Sequence, residues 1–280
     1  MNDKRCFIVG LPNAGKTTFL AALWYSLVNS KNNILQLYKL TGNKKYLQSI
    51  SEAWANVQKL SRTMPVAEKL NLEIALRCND SLFTLNLPDL SGETFQNHYT
   101  ERKMSKDIAE YIIEADAILL FINTTEVKDI IFHSDLDSDI IGESDEIPKV
   151  STIIRDVKND PMAVQLVDIL QFIEELREKK CVKLGIMLSA WDEWTETEFE
   201  RVPELFVQKK MSLLWQYLHS NSQIFQCQYW GISAQGGTME NGNDEILQNY
   251  FDQTERIFLI ANDGSESKDI TVPIFNLLGE

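Results

Sequence analysis

The sequence predicts a three-layer α/β sandwich on a mostly parallel sheet, with one antiparallel hairpin strand near its start. Three observations predict it. Strand-like apolar runs alternate with amphipathic helical stretches along the 280 residues. Gly10-Leu11-Pro12-Asn13-Ala14-Gly15-Lys16-Thr17-Thr18 joins an apolar strand to a helix and fits the pattern Gly, four residues, Gly-Lys-Ser/Thr. Ala117 to Ile122 is an unbroken apolar run, as expected of a strand covered on both faces. With no internal repeat and no low-complexity linker, the chain reads as a single domain over 1–280.

The elements follow in order. Cys6-Phe7-Ile8-Val9 is the strand entering the glycine-rich loop, and Thr17 to Val28 is the helix leaving it. Asn33 to Leu40 gives a short strand, and Lys44 to Leu60 a helix with Leu47, Ile50, Trp54 and Val57 on one face. Ser61 to Pro65 is a loop. Leu70, Leu72, Ile74 and Leu76 then alternate with Asn71, Glu73, Ala75 and Arg77. After a turn at Asn79-Asp80-Ser81, Phe83, Leu85 and Leu87 alternate again, so the pair is a hairpin. Met104 to Ile113 is helical in pattern. Residues 124–160 carry many Asp and Glu and read as an acidic, solvated insertion rather than a docking loop for a basic partner. A long amphipathic helix follows, with Met162, Leu166, Ile169, Leu170, Ile173 and Leu176 on its apolar face. Val182 to Leu188 is a strand and Pro203 to His219 one helix, with Pro in its first turn. Phe225, Cys227 and Tyr229 lead into Gly231-Ile232-Ser233-Ala234-Gln235, and Arg256 to Ile260 is a last strand before a short apolar end, Val272 to Leu278.

Composition narrows the function classes. A net charge of −14 repels nucleic acid and anionic membrane surfaces alike. No run approaches the roughly 18 apolar residues of a membrane helix, and the start of the chain lacks a signal-peptide shape, which points to the cytoplasm. Cys6, Cys78, Cys181 and Cys227 are far apart, suit neither a zinc site nor a redox pair, and read as buried thiols. His98, His133 and His219 show no ligand spacing and read as surface or edge residues. The tryptophans read as packing, with a place beside a bound base as the functional alternative for Trp191.

The glycine-rich loop carries the chemistry. Backbone N–H groups in such a loop face phosphate oxygens, and the following helix adds its positive dipole end. Gly10 and Gly15 allow close approach, Asn13, Ala14 and Thr18 complete the cradle, Lys16 reaches the β- and γ-phosphates, and the Thr17 hydroxyl suits Mg²⁺. Nucleotide is expected where the loops after Val9, Leu87, Leu188 and Ile232 converge, at the carboxyl ends of the strands. Asp89 directly follows a strand, where a Mg²⁺ carboxylate is expected, and Asp89-Leu90-Ser91-Gly92 fits Asp-x-x-Gly.

With these motifs in place, the chain resembles Ras-like P-loop GTPases of the translation-factor-related superclass, which implies a G-domain-like fold. Gly10 to Thr18 is similar to the loop of Era-, Obg- and TrmE-type GTPases, Asp89 to Gly92 to the third family motif, and Ser233-Ala234-Gln235 to the fifth, usually Ser-Ala-Lys. Leu188 to Asp192 stands where the fourth motif, Asn/Thr-Lys-x-Asp, belongs. More narrowly, Asp89 to Phe95, Trp191-Asp192 and Asp269-Ile270-Thr271-x-Pro273 resemble the double-GTPase families of bacterial conflict systems.

The resemblance implies GTP and GDP as ligands, with the Gly92 N–H sensing the γ-phosphate. Asp192 would accept from guanine N1 and N2, beside Ser233 and Ala234. Ser189 and Ala190 replace the usual Asn and Lys, which weakens the expected guanine discrimination. Thr63 is the candidate switch Thr on Mg²⁺, against an ordinary loop residue, in an enlarged first-switch region of about 30–66. Arg62 reads as a solvated surface residue rather than an arginine finger. Asn13 matches the Asn that helps hold K⁺ in TrmE-type GTPases, against a simple turn-shaping role. Glu93 stands where many relatives place the water-orienting Gln, which implies slow turnover without a protein effector or activating partner. The leading reading is a Mg²⁺-dependent GTP-hydrolysing switch. A nucleotide-dependent scaffold with little hydrolysis is the alternative, and a small-molecule kinase fits least, having no Arg-rich lid.

Overall fold

The computed structural model of the chain describes residues 3–60, 72–87, 93–128, 160–237 and 243–279. The strands are β1 (Asp3–Val9), β2 (Gln36–Thr41), β3 (Leu72–Cys78), β4 (Ser81–Leu87), β5 (Ala117–Asn123), β6 (Val182–Ser189), β7 (Phe225–Ser233), β8 (Phe258–Ala261) and β9 (Glu266–Ser267). They form one sheet in the order β2-β3-β4-β1-β5-β6-β7-β8-β9. The central pairs β4·β1, β1·β5, β5·β6 and β6·β7 are parallel, so the carboxyl ends of β1, β5, β6 and β7 share one edge. The hairpin β3·β4 is antiparallel, with Leu72 opposite Leu87 and Cys78 opposite Ser81 across the two-residue turn. The far edge adds an antiparallel pair that the sequence reading did not place: β8 runs against β7 and β9 against β8.

Alternation along the strands sorts the core into two layers. On β1, Cys6 and Ile8 join the cluster with Phe19, Leu20, Leu23 and Trp54, while Phe7 and Val9 join the one with Ile112, Leu166 and Ile169. The first layer is built by α1 (Lys16–Asn29), α2 (Lys44–Ala55) and α9 (Val272–Leu278). The second is built by α3 (Glu93–Glu101), α4 (Lys106–Glu114), α5 (Met162–Leu176), α6 (Pro203–Lys210) and α7 (Ser212–Ser220). One more helix, α8 (Asn243–Gln248), precedes β8. Ala117 to Ile122 of β5 are all buried, feeding both layers. Each fully buried Leu, Ile or Phe is worth about 1.5–3 kcal/mol over exposure, an upper figure because unfolded chains already hide some surface. No helix among the described residues is long and apolar enough to cross a membrane.

Several boundaries differ from the sequence reading for local reasons. α2 stops at Ala55 rather than Leu60 because Val57 turns into the left-handed region at φ 55°. Its N–H donates to the Trp54 carbonyl and that of Gln58 to Ala53, closing the helix. Val57 is still buried, from the turn rather than from a helical face. The single helix expected over Pro203 to His219 is broken at Met211, which leaves helical geometry at φ −133° and buries its side chain. α3 was not expected, and the apolar end Val272 to Leu278 is helical. Of the cysteines only Cys6 is buried; Cys78 and Cys227 are half-buried and Cys181 is exposed. Within the expected acidic insertion, residues 129–159 lie outside the described residues, and Thr124–Glu126 forms a short 3-10 turn.

The Asp269 to Pro273 stretch has a structural role. Asp269 accepts from the Ile34 N–H at 2.6 Å and from the Thr271 N–H and hydroxyl, and the Thr271 hydroxyl accepts from the Leu35 N–H at 3.2 Å. These bonds fasten the backbone just before β2 to the segment that starts α9.

His98 corrects the expectation of a surface histidine. It is 2% exposed on α3, with its ring centroid 4.0 Å from that of Phe172 on α5. Burial holds it below the ordinary histidine range, outweighing the nearby Asp168 carboxylate, while Arg102 pushes the same way as burial. A histidine kept neutral in the fold contributes stability that is present above its unfolded pKa, about 6.5, and lost as pH falls through that value toward the depressed one. The midpoint of thermal unfolding should therefore fall more steeply between pH 7 and pH 5 in the wild type than in His98→Leu. Parallel slopes would show that His98 does not titrate on unfolding.

Candidate functional site

The Gly10–Thr18 loop leaves the carboxyl end of β1 and enters α1. Gly10 is required by proximity: a Cβ there would lie 2.9 Å from the Phe121 carbonyl oxygen. Gly15 is required by conformation, at φ 89°, and by the Ser189 hydroxyl, which would be 2.6 Å from a Cβ. Asn13 is also left-handed, at φ 64°, a region Asn tolerates better than most residues. The Ala14 N–H closes the turn onto the Leu11 carbonyl, and the Phe19 N–H onto Gly15. No acidic residue occupies the first turn of α1, so no carboxylate there offsets the positive end of its dipole.

Lys16 folds back over the loop. Its side chain is buried, and Nζ donates to the carbonyls of Gly10 at 2.7 Å and Leu11 at 2.8 Å. Thr17 and Thr18 are half-buried in the next positions. The Thr17 hydroxyl is an oxygen of the type that suits a hard cation. The other two residues assigned to Mg²⁺, Thr63 and Asp89, lie outside the described residues, as do Arg62 and Gly92. Among the described residues no group of three or more His, Cys, Asp or Glu is arranged to hold a metal. Glu93 is exposed as the first residue of α3.

The ends of β5 and β6 brace the loop. Ser189 Oγ donates to the Ala14 carbonyl at 3.0 Å, so the residue standing in the usual Asn position still ties β6 to the loop. Asn123 Nδ2 donates to the Asn13 carbonyl at 3.0 Å. Thr124 Oγ1 donates to the carbonyls of Ser189 at 2.9 Å and Ala190 at 3.2 Å. Ala190 is left-handed at φ 57°, a conformation costing a non-glycine residue roughly 1–2 kcal/mol. It redirects the chain into the Trp191–Trp194 turn.

That turn brings Asp192 to Ser233, whose hydroxyl donates to Asp192 Oδ1 at 2.6 Å. The Gly236 N–H donates in turn to Ser233 Oγ at 3.2 Å. Asp192, Ser233 and Ala234 thus sit at the carboxyl edges of β6 and β7, joined to the glycine-rich loop through Ser189. Trp191 is fully buried, edge-on to Phe206, and so close to Gly231 that a Cβ there would lie 2.5 Å from the indole. It packs the core and does not flank a base.

Sequence reasoning missed Asn123, Thr124, Trp54 and Arg256. The first two directly end an apolar strand parallel to β1, a position that could have singled them out. Trp54 donates from Nε1 to the Ala234 carbonyl at 3.0 Å, and Arg256 donates from Nη2 to the Trp54 carbonyl at 2.9 Å. No motif marks either.

Comparison with known proteins gives a family and distant structural neighbours. No curated protein matches. The G domain of the T. maritima FeoB iron transporter is 12% identical, with 88% of this chain and 94% of that one covered and a TM-score of 0.33. The Arl6 BBS3 small GTPase from Trypanosoma brucei, solved with the nucleotide analogue GppNp, is 11% identical, with 85% and 91% covered and a TM-score of 0.37. SsGBP, solved as a GDP complex, is 13% identical at a TM-score of 0.36; 89% of this chain matches only 48% of that one, about half its length. The family model for Double-GTPase 1 matches residues 7–277. The chain, with its phosphate-loop architecture at the carboxyl edge of a mostly parallel sheet, belongs to the Double-GTPase 1 family.

Proposed function

We propose that the chain binds GTP and GDP on the Gly10–Thr18 loop and hydrolyses GTP in a Mg²⁺-dependent reaction, acting as a molecular switch. The observation that carries this reading is convergence. Lys16 and Thr17 after β1, Ser189 and Asp192 after β6, and Ser233 and Ala234 after β7 meet at one edge of the sheet through the Ser189–Ala14 and Ser233–Asp192 hydrogen bonds.

In this reading the loop amides and the start of α1, with Thr18 in its first turn, hold the phosphates. Lys16 exchanges the Gly10 and Leu11 carbonyls for β- and γ-phosphate oxygens. Thr17, Asp89 and Thr63 would hold Mg²⁺, which would supply positive charge to offset the negative charge that develops on the phosphates. Asn13 supplies the position for K⁺. Gly92 would sense the γ-phosphate through its N–H, and Glu93 would orient the attacking water at the cost of a like charge beside an anion. Unassisted turnover is accordingly slow, on the order of 10⁻⁴–10⁻² s⁻¹. A protein effector or activating partner that supplies a cation speeds it. Glu93 also favours the second reading, a nucleotide-dependent scaffold with little hydrolysis. Phosphate release with and without Mg²⁺ separates the two.

Base selection tests the site. Ser233 uses one lone pair of Asp192 Oδ1 and leaves the carboxylate acceptor capacity for the two donors of guanine. GTP should bind more tightly than ATP by about 1–3 kcal/mol, the value of a bidentate base contact. Asp192→Ala should erase that difference in a competition titration. Equal affinities in the wild type, or an unchanged preference in the variant, would refute the assignment of Asp192.

A further inference from the structure

The loop after β7 that carries Ser233 and Ala234 does not stand alone. Its Ala234 carbonyl accepts the indole N–H of Trp54, which lies on α2, 180 residues earlier in the chain. Trp54 is itself fully buried and held from its other side: Arg256 places its guanidinium 4.3 Å from the indole centroid and donates to the Trp54 backbone carbonyl. Arg256 is 4% exposed, and burial pushes it down to about 10, so it is still a cation at neutral pH. Gly236, at φ 88°, closes the same loop so tightly that a Cβ would meet the Arg256 carbonyl oxygen at 2.6 Å. One assembly therefore joins three pieces: the loop after β7, the backbone just before β8, and α2.

A hydrogen bond to the Ala234 carbonyl fixes more than that oxygen. The peptide from Ala234 to Gln235 is planar and trans, so pinning its carbonyl also fixes the direction of the Gln235 N–H on the opposite side. The backbone face of the loop is thus set by a side chain from α2. An indole N–H is a donor only, with no alternative role as acceptor. The guanidinium over its ring, which also donates to its backbone carbonyl, leaves it little freedom to turn away.

We propose that Trp54, held by Arg256, is a positioning residue for base recognition: it sets the Ser233–Gln235 backbone for guanine, so that α2 and the base loop move as one unit. This rests on the reading of Asp192, Ser233 and Ala234 as the guanine side of the site. It makes α2 responsive to the base, whereas Lys16 and Thr17 respond to the phosphates. Neither Trp54 nor Arg256 touches the Gly10–Thr18 loop in any hydrogen bond described.

Trp54→Phe keeps an aromatic ring under Arg256 and removes the donor. In nucleotide-stripped protein it should lower GDP affinity about 3- to 10-fold, the worth of one net hydrogen bond. Binding of inorganic tripolyphosphate, which has no base, should stay within about twofold. Leu47→Val serves as the packing control, because Leu47 is buried on the same helix and makes no bond to the loop. It should change thermal stability without changing the ratio of GDP to tripolyphosphate affinity. Loss of both affinities together in Trp54→Phe, no loss at all, or the same ratio change in Leu47→Val would each overturn the proposal. A wild type that does not prefer guanine over adenine would instead refute the guanine reading itself, and the positioning role with it; the two failures are distinguished by the wild-type titration alone.

Discussion

Lys16→Ala is expected to abolish nucleotide turnover and to weaken triphosphate binding more than diphosphate binding. The ammonium is a buried cation donating to two backbone carbonyls, Gly10 and Leu11, at 2.7 and 2.8 Å. Neutral carbonyls solvate an ammonium less well than phosphate oxygens do, so a bound triphosphate draws Nζ away from them. Removing a preorganised charge from a developing one typically costs about 10²–10³-fold in rate. The variant also leaves two carbonyls without their donor, worth roughly 1–3 kcal/mol each if they stay dry. Thermal unfolding must therefore be measured beside single-turnover phosphate release. Near wild-type hydrolysis by folded Lys16→Ala would show that the loop is not the active site.

The second large effect is expected at Gly15, where two penalties fall on one atom. At φ 89° any L side chain is strained, at roughly 1–2 kcal/mol. The new Cβ would also sit 2.6 Å from Ser189 Oγ and 2.7 Å from Ser189 Cβ. Ser189 cannot simply rotate aside, because its own Cβ is part of the clash and its hydroxyl holds the Ala14 carbonyl. With overpacking at about 1–3 kcal/mol, Gly15→Ala should lose about 2–5 kcal/mol of stability in denaturant titration and most of its nucleotide affinity. Adding Ser189→Gly should recover the overlap and leave the backbone strain. A loss below about 0.5 kcal/mol in the single variant would contradict the packing described.

Much of this was legible in residues that obey local rules. The strand before the glycine-rich loop, the alternating hairpin and the apolar run of β5 announce themselves because burial on one or two faces dictates their pattern. Ser189 and Asp192 were singled out through the resemblance to the fourth GTPase motif, and the structure adds that Ser189 braces the loop although it is not the usual Asn. What escaped was set by tertiary packing. Val57 ends α2 in a conformation that β-branched residues disfavour, and Met211 breaks a helix without Pro or Gly. His98 looks like any surface histidine until Phe172, from another helix, covers it. Trp54 reads as a core residue, which it is; its polar edge matters only because a loop 180 residues away supplies an acceptor. Asp89, Gly92 and Thr63 remain proposals from sequence pattern.

The fastening of Ile34 and Leu35 by Asp269 and Thr271 has a consequence for how the chain is made. The carboxylate that receives the Ile34 N–H is 235 residues further along. At about 5–20 residues per second, synthesis delivers it roughly 12–47 s after Ile34. Over that interval the ribosome holds a nascent chain that already contains Gly10–Thr18 and, later, Ser189, but neither group that holds the backbone before β2. Closing so long a loop is also slow by comparison with pairing β3 to β4 across their two-residue turn. The backbone entering β2 is therefore fastened only once the carboxyl-terminal segment is made, and a translation product interrupted before Asp269 can pair β2 with β3 but lacks both groups that hold Ile34 and Leu35.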